Sequence, residues 1–237
     1  MWYLKRCPLF EQLSPEKLAI LEARCRARRF PRGAPIYLPM DAADGILLLA
    51  EGRVKIGSVT QDGRQTILAF IEPGELFGEL ALVDSTAREE FAEAVEKSSA
   101  VLIPREVMQE LVESNPHVSL GVTKIIGLRR QRVERRLKYL LYRSNRERLT
   151  HLLIELAERY GRRSPEGIEL TIKLSHQDLA SIVGSTRETV TVVLGELQSE
   201  GRLTLGRRKI VLTDLPFLAQ SVNVDVPRLR QAGAGSR

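Results

Sequence analysis

The sequence holds only two cysteines, Cys7 and Cys25. Two thiols cannot frame a disulfide-stapled domain or supply the four thiolates of a zinc or iron–sulfur centre within one chain, so both read as free. Histidine is also scarce, and His117, His151 and His176 show none of the spacing a metal site requires. Ser175, His176 and Asp178 crowd onto one helical turn, where they cannot converge as a catalytic triad, whose members come from separate elements. Catalysis is not expected. No apolar run approaches the roughly 20 residues of a membrane span. The opening Met1-Trp2-Tyr3-Leu4-Lys5-Arg6 lacks the basic, apolar, small order of a signal peptide, so the cytoplasm is the expected compartment and no membrane partner is expected.

What is present is an ordinary globular composition, 43% hydrophobic over 237 residues, enough for two modest domains with a core each. The charge is split unevenly. Residues 1–114 hold 14 Lys+Arg and 18 Asp+Glu, a balance of −4; residues 115–237 hold the other 22 and 12, a balance of +10. The second half is the candidate for a polyanionic partner, because cations that neutralise phosphates release condensed counterions.

Ser14-Pro15-Glu16 reads as a helix start, with a hydroxyl cap and proline at the first helical position, and the helix is expected to run to about Cys25. From Phe30 to Ile103 the texture changes to short apolar runs punctuated at equal intervals by Gly52, Gly63 and Gly74. That is hairpin punctuation, and it predicts a mostly β first domain, a barrel or a sandwich. Asn115-Pro116 then opens a long helix in which Val118, Val122, Ile125, Ile126, Val133, Leu137 and Leu140 recur at helical spacing. A helix this long between two domains is expected to pair with a copy of itself. Arg129 falls on the stripe, seven residues after Val122, where a guanidinium needs an anion from the partner chain or an effector, or else snorkels to water.

Beyond a break at Tyr142–Asn145, residues 146–160 read as a helix with Leu149, Leu152, Leu153, Leu156 and Ala157 on one face, and Ile168–Ile172 as a short strand. The segment 174–197 then contains two helix starts of the same type, Ser175-x-x-Asp178 and Ser185-x-x-Glu188, separated by a tight turn at Gly184. Leu179, Ile182 and Val183 on the first helix, and Val190, Val193, Leu194 and Leu197 on the second, supply inner faces. This is a helix-turn-helix, and Arg187 and Glu188 are expected in the exposed first turn of its second helix. Arg187 can donate two parallel bonds to guanine O6 and N7, and Glu188 can accept from a cytosine amine, each contact discriminating by roughly 1–3 kcal/mol. Ser175, Gln177, Ser185 and Thr186 are expected on phosphates, with Thr191 and Val192 also on the DNA side. Residues 202–212 read as a wing hairpin whose Arg207, Arg208 and Lys209 would grip flanking phosphates.

With these motifs in place, the chain resembles the cAMP receptor protein/FNR superfamily of bacterial regulators over nearly its whole length. Phe77-Gly78-Glu79-Leu80-Ala81-Leu82 with Arg88 resembles the family's phosphate-binding cassette, the Asn115-Pro116 helix its dimer helix, and Gly184–Val190 its recognition helix. The resemblance implies an α+β fold: an N-terminal cyclic-nucleotide-binding-like β-roll (1–114), a dimerisation helix (115–142), a C-terminal winged helix-turn-helix (143–220) and a tail (221–237) ending without order near residues 232–236. It implies a homodimer on palindromic double-stranded DNA, with RNA polymerase as a further partner. One departure lies at Val192, where family members commonly carry a second arginine; half-sites are expected to keep the G·C pairs read by Arg187 and Glu188 and to relax where that arginine would have read.

The resemblance also assigns a tentative effector site to Gly78, Glu79, Leu80, Arg88, Arg129 and Glu134. Against cyclic AMP, the residue after Arg88, usually a hydroxyl donor to the phosphate, is Glu89, followed by Glu90, and the dimer-helix pair that contacts adenine is replaced by Val133 and Glu134. A second resemblance, through Lys173–Gln177 and Gly184–Arg187, is to the cyanobacterial nitrogen-control branch, whose 2-oxoglutarate pocket uses an arginine and a glutamate at positions matching Arg129 and Glu134; the arginine that branch draws from the cassette would fall on Glu90. Action without any effector is a third alternative, and no cofactor is assigned. The rival reading of the whole chain is a cyclic-nucleotide-binding-like regulatory or interaction module that does not touch DNA.

Overall fold

The computed structural model describes residues 2–5, 7–83, 87–207 and 209–229. They fall into two compact units divided between Val133 and Glu134. The division lies inside the long helix.

The first unit begins with helix α1 (Trp2–Lys5), a 3-10 turn (Pro8–Phe10) and α2 (Pro15–Arg24), where the Ser14 hydroxyl accepts from the Lys17 amide as expected. Eight strands follow: β1 (Arg26–Phe30), β2 (Pro35–Tyr37), β3 (Gly45–Glu51), β4 (Val54–Val59), β5 (Gln65–Ile71), β6 (Leu76–Phe77), β7 (Phe91–Ala94) and β8 (Ser98–Pro104). They form two four-stranded sheets, ordered β1-β8-β3-β6 and β2-β7-β4-β5. Gly52, Gly63 and Gly74 all have positive φ, the left-handed conformation that hairpin turns demand and that glycine adopts without a Cβ penalty.

The unbroken apolar run of β3 has a simple cause. Leu47 and Leu49 join Ala100, Leu102 and Phe77 in a core shared with Val54, Ile56, Ala69, Ile71 and Ala92 of the second sheet. Ile46 and Leu48, with Val101 and Ile103, face the other way into a core built by α1, α2 and α3 (Arg105–Ser114). The central strands are covered on both faces, so alternation is lost. Helix α3 went unread in the sequence, although Val107 and Met108 are buried on it.

Helix α4 (Pro116–Tyr142) corrects the reading of the apolar stripe. Val118 and Val122 are buried in the first unit's own core, and Ile125 and Ile126 pack against it. The apolar residues left exposed are Leu120 and Leu128, which the stripe omitted, followed by Val133, Leu137, Leu140 and Leu141. The apolar residues of the helix's first half are thus partly spent within the first unit's core, and those from Val133 onward are exposed.

The second unit is built on α5 (Asn145–Tyr160), whose N-terminus carries a reciprocal capping box between Ser144 and Glu147. The Ser144 amide, then Arg143 and the Ser144 side chain, hold the Glu147 carboxyl down at about 2. Strands β9 (Gly161–Ser164) and β10 (Gly167–Leu170), helices α6 (His176–Val183) and α7 (Arg187–Ser199), the hairpin β11 (Leu203–Gly206) and β12 (Lys209–Leu212), and α8 (Leu215–Ser221) complete it. The sheet order is β11-β12-β10-β9. Leu153, Leu179, Leu194, Leu212 and Leu218 are wholly buried and tie these elements together.

Candidate functional site

Two helices joined by a tight turn dominate the second unit's polar surface. Helix α6 starts at a full capping box: the Ser175 hydroxyl accepts from the Asp178 amide at 3.1 Å, and the Ser175 amide donates to Asp178 Oδ2 at 2.9 Å. It stops at Gly184, whose φ of 65° lets the Ser185 amide turn back to the Ala180 carbonyl at 3.0 Å. A Cβ at position 184 would sit 2.8 Å from Leu140 Cδ2, so the turn needs glycine for space as well as for φ. Arg148 donates to the Val183 carbonyl at 2.9 Å, capping the same helix end with a cation.

The cap of the second helix is shifted from the expected Ser185 to Thr186. Ser185 is occupied in closing the turn, so the chain reaches extended geometry one residue later, and Thr186 Oγ1 accepts from the Thr189 amide at 3.2 Å. Glu188 is consequently released from a capping role. Arg187, Glu188, Thr191 and Val192 are exposed, while Val190, Val193, Leu194 and Leu197 are buried beneath them. Thr186, Ser175 and Gln177 are exposed at the helix starts, and Ser185 is half-buried. The Thr191 hydroxyl donates to the Arg187 carbonyl at 2.9 Å and lies 2.8 Å from His176 Nδ1, a contact between the two helices that the sequence did not reveal.

The wing is present as β11 and β12. Arg207 is exposed in its turn, Lys209 opens β12 with its Nζ 4.0 Å from Glu166, and Arg208 lies outside the described residues, as does the tail near 232–236. Much of the basic run that precedes α6 is committed internally. Arg146 pairs with Glu196 on α7 and with Glu200 at its C-terminal cap, and Arg143 with Glu147; beyond α7, Arg202 pairs with Asp214 while stacking on Phe217. Those cations are committed within the unit, whereas Arg187, Arg207 and Lys209 are exposed.

In the first unit, the cassette residues converge around Arg88. Gly78, at φ 71°, precedes a 3-10 turn (Glu79–Leu82), and Arg88 is buried, donating to the carbonyls of Gly78 at 3.0 Å and Gly45 at 2.6 Å with its guanidinium 4.5 Å from the Tyr37 ring. Its Nε has no hydrogen-bond partner among the described residues. The open space beside Gly78, Leu80, Arg88, Glu89 and Glu90 amounts to about 10 Å³, room for roughly one water. Glu89 points to solvent, whereas Glu90 accepts from the Tyr37 hydroxyl at 2.8 Å. Burial, reinforced by the neighbouring Glu79 charge, pushes the Glu90 carboxyl up, and burial with Glu90 pushes the Tyr37 phenol well up.

The anion for Arg129 is found within the chain. Arg129 pairs with Glu79 Oε2 and donates to the Leu76 carbonyl. Glu134, placed beyond the unit boundary, is exposed. The two thiols are buried, and burial raises both to about 11, which keeps them protonated at neutral pH.

Comparison with known proteins matches residues 27–115 to the cyclic nucleotide-binding domain and residues 147–221 to the Crp-like helix-turn-helix domain. A global nitrogen regulator of Synechococcus elongatus is 30% identical over 214 residues, covering 90% of this chain and 94% of that protein. The chain belongs to the CRP/FNR family. It is also 27% identical over 217 residues to the CRP-like cAMP-activated global transcriptional regulator of Mycobacterium tuberculosis, covering 92% and 97% of the two chains. The crystal structure of a CRP/FNR-family transcriptional regulator from Thermus thermophilus superposes with a TM-score of 0.64 at 31% identity, covering 84% of this chain and 98% of that one. As a CRP/FNR member the protein is a DNA-binding transcription regulator and not an enzyme, with a cyclic-nucleotide-binding-like β-rich domain, a long helix and a helix-turn-helix. No described helix is long and apolar enough to cross a membrane.

Proposed function

We propose that this regulator binds a palindromic DNA site as a homodimer, each protomer reading one half-site through Arg187 and Glu188, and that it does so without cyclic AMP. The observation that carries the DNA reading is the exposed face of α7, where Arg187, Glu188, Thr191 and Val192 stand on a helix whose opposite face is buried. Such a helix end offers a guanidinium, a carboxylate and an apolar patch to base edges at once. Ser175, Gln177, Ser185 and Thr186 set the register on phosphates, with Arg207, Arg208 and Lys209 gripping from the wing. The exposed apolar residues of α4, Leu120, Leu128, Val133 and Leu137 among them, support pairing through that helix. RNA polymerase is the partner through which a bound dimer would act.

Independence from cyclic AMP is supported by the chemistry of the cassette. Arg88 gives two of its donors to backbone carbonyls, Glu89 stands where the family places a hydroxyl donor to the phosphate, and Glu90 adds a second carboxyl beside it. The relatives named for nitrogen regulation favour no simple transfer either, because Arg129 is already paired with Glu79. Site selection from random duplexes, followed by binding measurements with and without cyclic AMP, tests both parts. A palindrome with G·C pairs facing Arg187 and Glu188, bound equally in both conditions, is the expected result; binding that appears only with the nucleotide overturns the second part.

A further inference from the structure

We propose that the first unit holds a ligand site separate from the cassette, a cavity that takes a small monocarboxylate with an apolar body, of the size of a medium-chain fatty acid. The cavity measures about 450 Å³ and lies between the 3-10 turn at Pro8–Phe10, the link from β5 to β6 and the first half of α4. That volume falls within the range of small-molecule sites, and all its walls belong to one compact unit. Arg129 and Leu76 reach it, whereas Gly78, Leu80 and Arg88 border a different space of about 10 Å³. The site is independent of how the second unit meets DNA.

Two glycines make room for it. A Cβ at Gly121 would run into Leu9, so the 3-10 turn rests against α4 only because that position is bare. Gly74, at φ 89°, turns the chain from β5 towards β6 without presenting a side chain to the cavity. Leu9, Ile71 and Leu76, all buried, and the half-buried Ile125 give the cavity an apolar wall.

Helix α4 supplies the polar end. Leu120, Lys124 and Leu128 follow one another a turn apart on a single row, and all three are exposed where they line the cavity. Lys124 has no ion-pair partner among the described residues, whereas the neighbouring Arg129 is held by Glu79. An ammonium flanked by two leucines matches a carboxylate head joined to a hydrocarbon tail. Glu11 and Glu75 line the cavity as well, and their charge repels a ligand with several negative charges, such as a nucleotide. Pairing through α4 would take water from Lys124 and increase its need for an anion.

Equilibrium dialysis of the full chain at neutral pH against hexanoate, octanoate and decanoate, with octanol as the uncharged counterpart, tests the site. Each added methylene should tighten binding about threefold to fourfold until the cavity is full. Octanoate should bind about fivefold tighter than octanol, and Lys124→Gln should erase that difference without changing the affinity for octanol. Leu128→Trp fills the cavity from an exposed position and should weaken the whole series about tenfold or more, with an unchanged melting temperature showing that the fold is kept; Leu120→Trp is the second such variant. Decanoate that does not bind at millimolar concentration, affinity that ignores chain length, or a Lys124→Gln variant that still prefers octanoate to octanol as wild type does, overturns the proposal. So does a cavity filled by a second copy of the chain, which sedimentation would reveal as decanoate binding that appears only on dilution to monomers.

Discussion

Replacing Glu79 with glutamine removes the carboxylate that Arg129 faces and leaves the guanidinium with the Leu76 carbonyl as its acceptor. Breaking a buried ion pair from one side costs about 3–5 kcal/mol, because the remaining charge is stranded. Here the Arg129 side chain retains 19% exposure and one acceptor, which puts Glu79→Gln nearer about 2 kcal/mol. Arg129→Met strands the more deeply buried partner, Glu79 at 8% side-chain exposure, and should cost about 3 kcal/mol. The double variant replaces both charges and should recover about 2 kcal/mol of the summed loss as coupling energy. Urea denaturation of the four proteins measures these differences, and hydrogen exchange locates them: amides around Leu76–Leu82 and Ile125–Arg129 should lose protection in each single variant. Two single variants within about 0.5 kcal/mol of wild type and no coupling would refute the reasoning, since that is the behaviour of an exposed pair.

Val192→Arg should restore a requirement for guanine at one half-site position, read by repeating site selection, with discrimination of roughly 1–3 kcal/mol where the wild type tolerates change. Glu90→Gln should raise the melting temperature at neutral pH. The Glu90 carboxyl is pushed up in the fold, so its contribution is present in acid and lost as pH rises through the folded value; the gain from the amide should vanish in acid, as melts at several pH values will show. Gly184→Ala combines a left-handed φ with a 2.8 Å approach to Leu140, and should destabilise the second unit by about 2 kcal/mol or more in a denaturation experiment.

The recognition helix was readable because its chemistry is local. The apolar spacing of Val190, Val193, Leu194 and Leu197 fixes the inner face, and Arg187 and Glu188 then have only one side to occupy. The cap was misplaced by one residue because Ser185 and Thr186 are both hydroxyls, and only the turn's own bond from the Ser185 amide decides between them. On α4 the limit was different. Val118, Val122, Leu120 and Leu128 are equally apolar, so periodicity reveals a helix but not which row the first unit's core will claim. The pairings Glu79–Arg129 and His176–Thr191 join residues 50 and 15 positions apart through tertiary folding, and no local pattern announces them. Composition did point to a basic second half, yet it could not tell Arg143, Arg146 and Arg148, which stitch the unit together, from Arg187, which faces outward.

The most direct measurement sets wild type and Arg187→Ala against two duplexes that differ only in the G·C pair assigned to Arg187. Wild type should prefer its own duplex by roughly tenfold to a hundredfold, and the alanine variant should bind both weakly and alike. A variant that keeps the full preference would show that base recognition resides elsewhere on the chain.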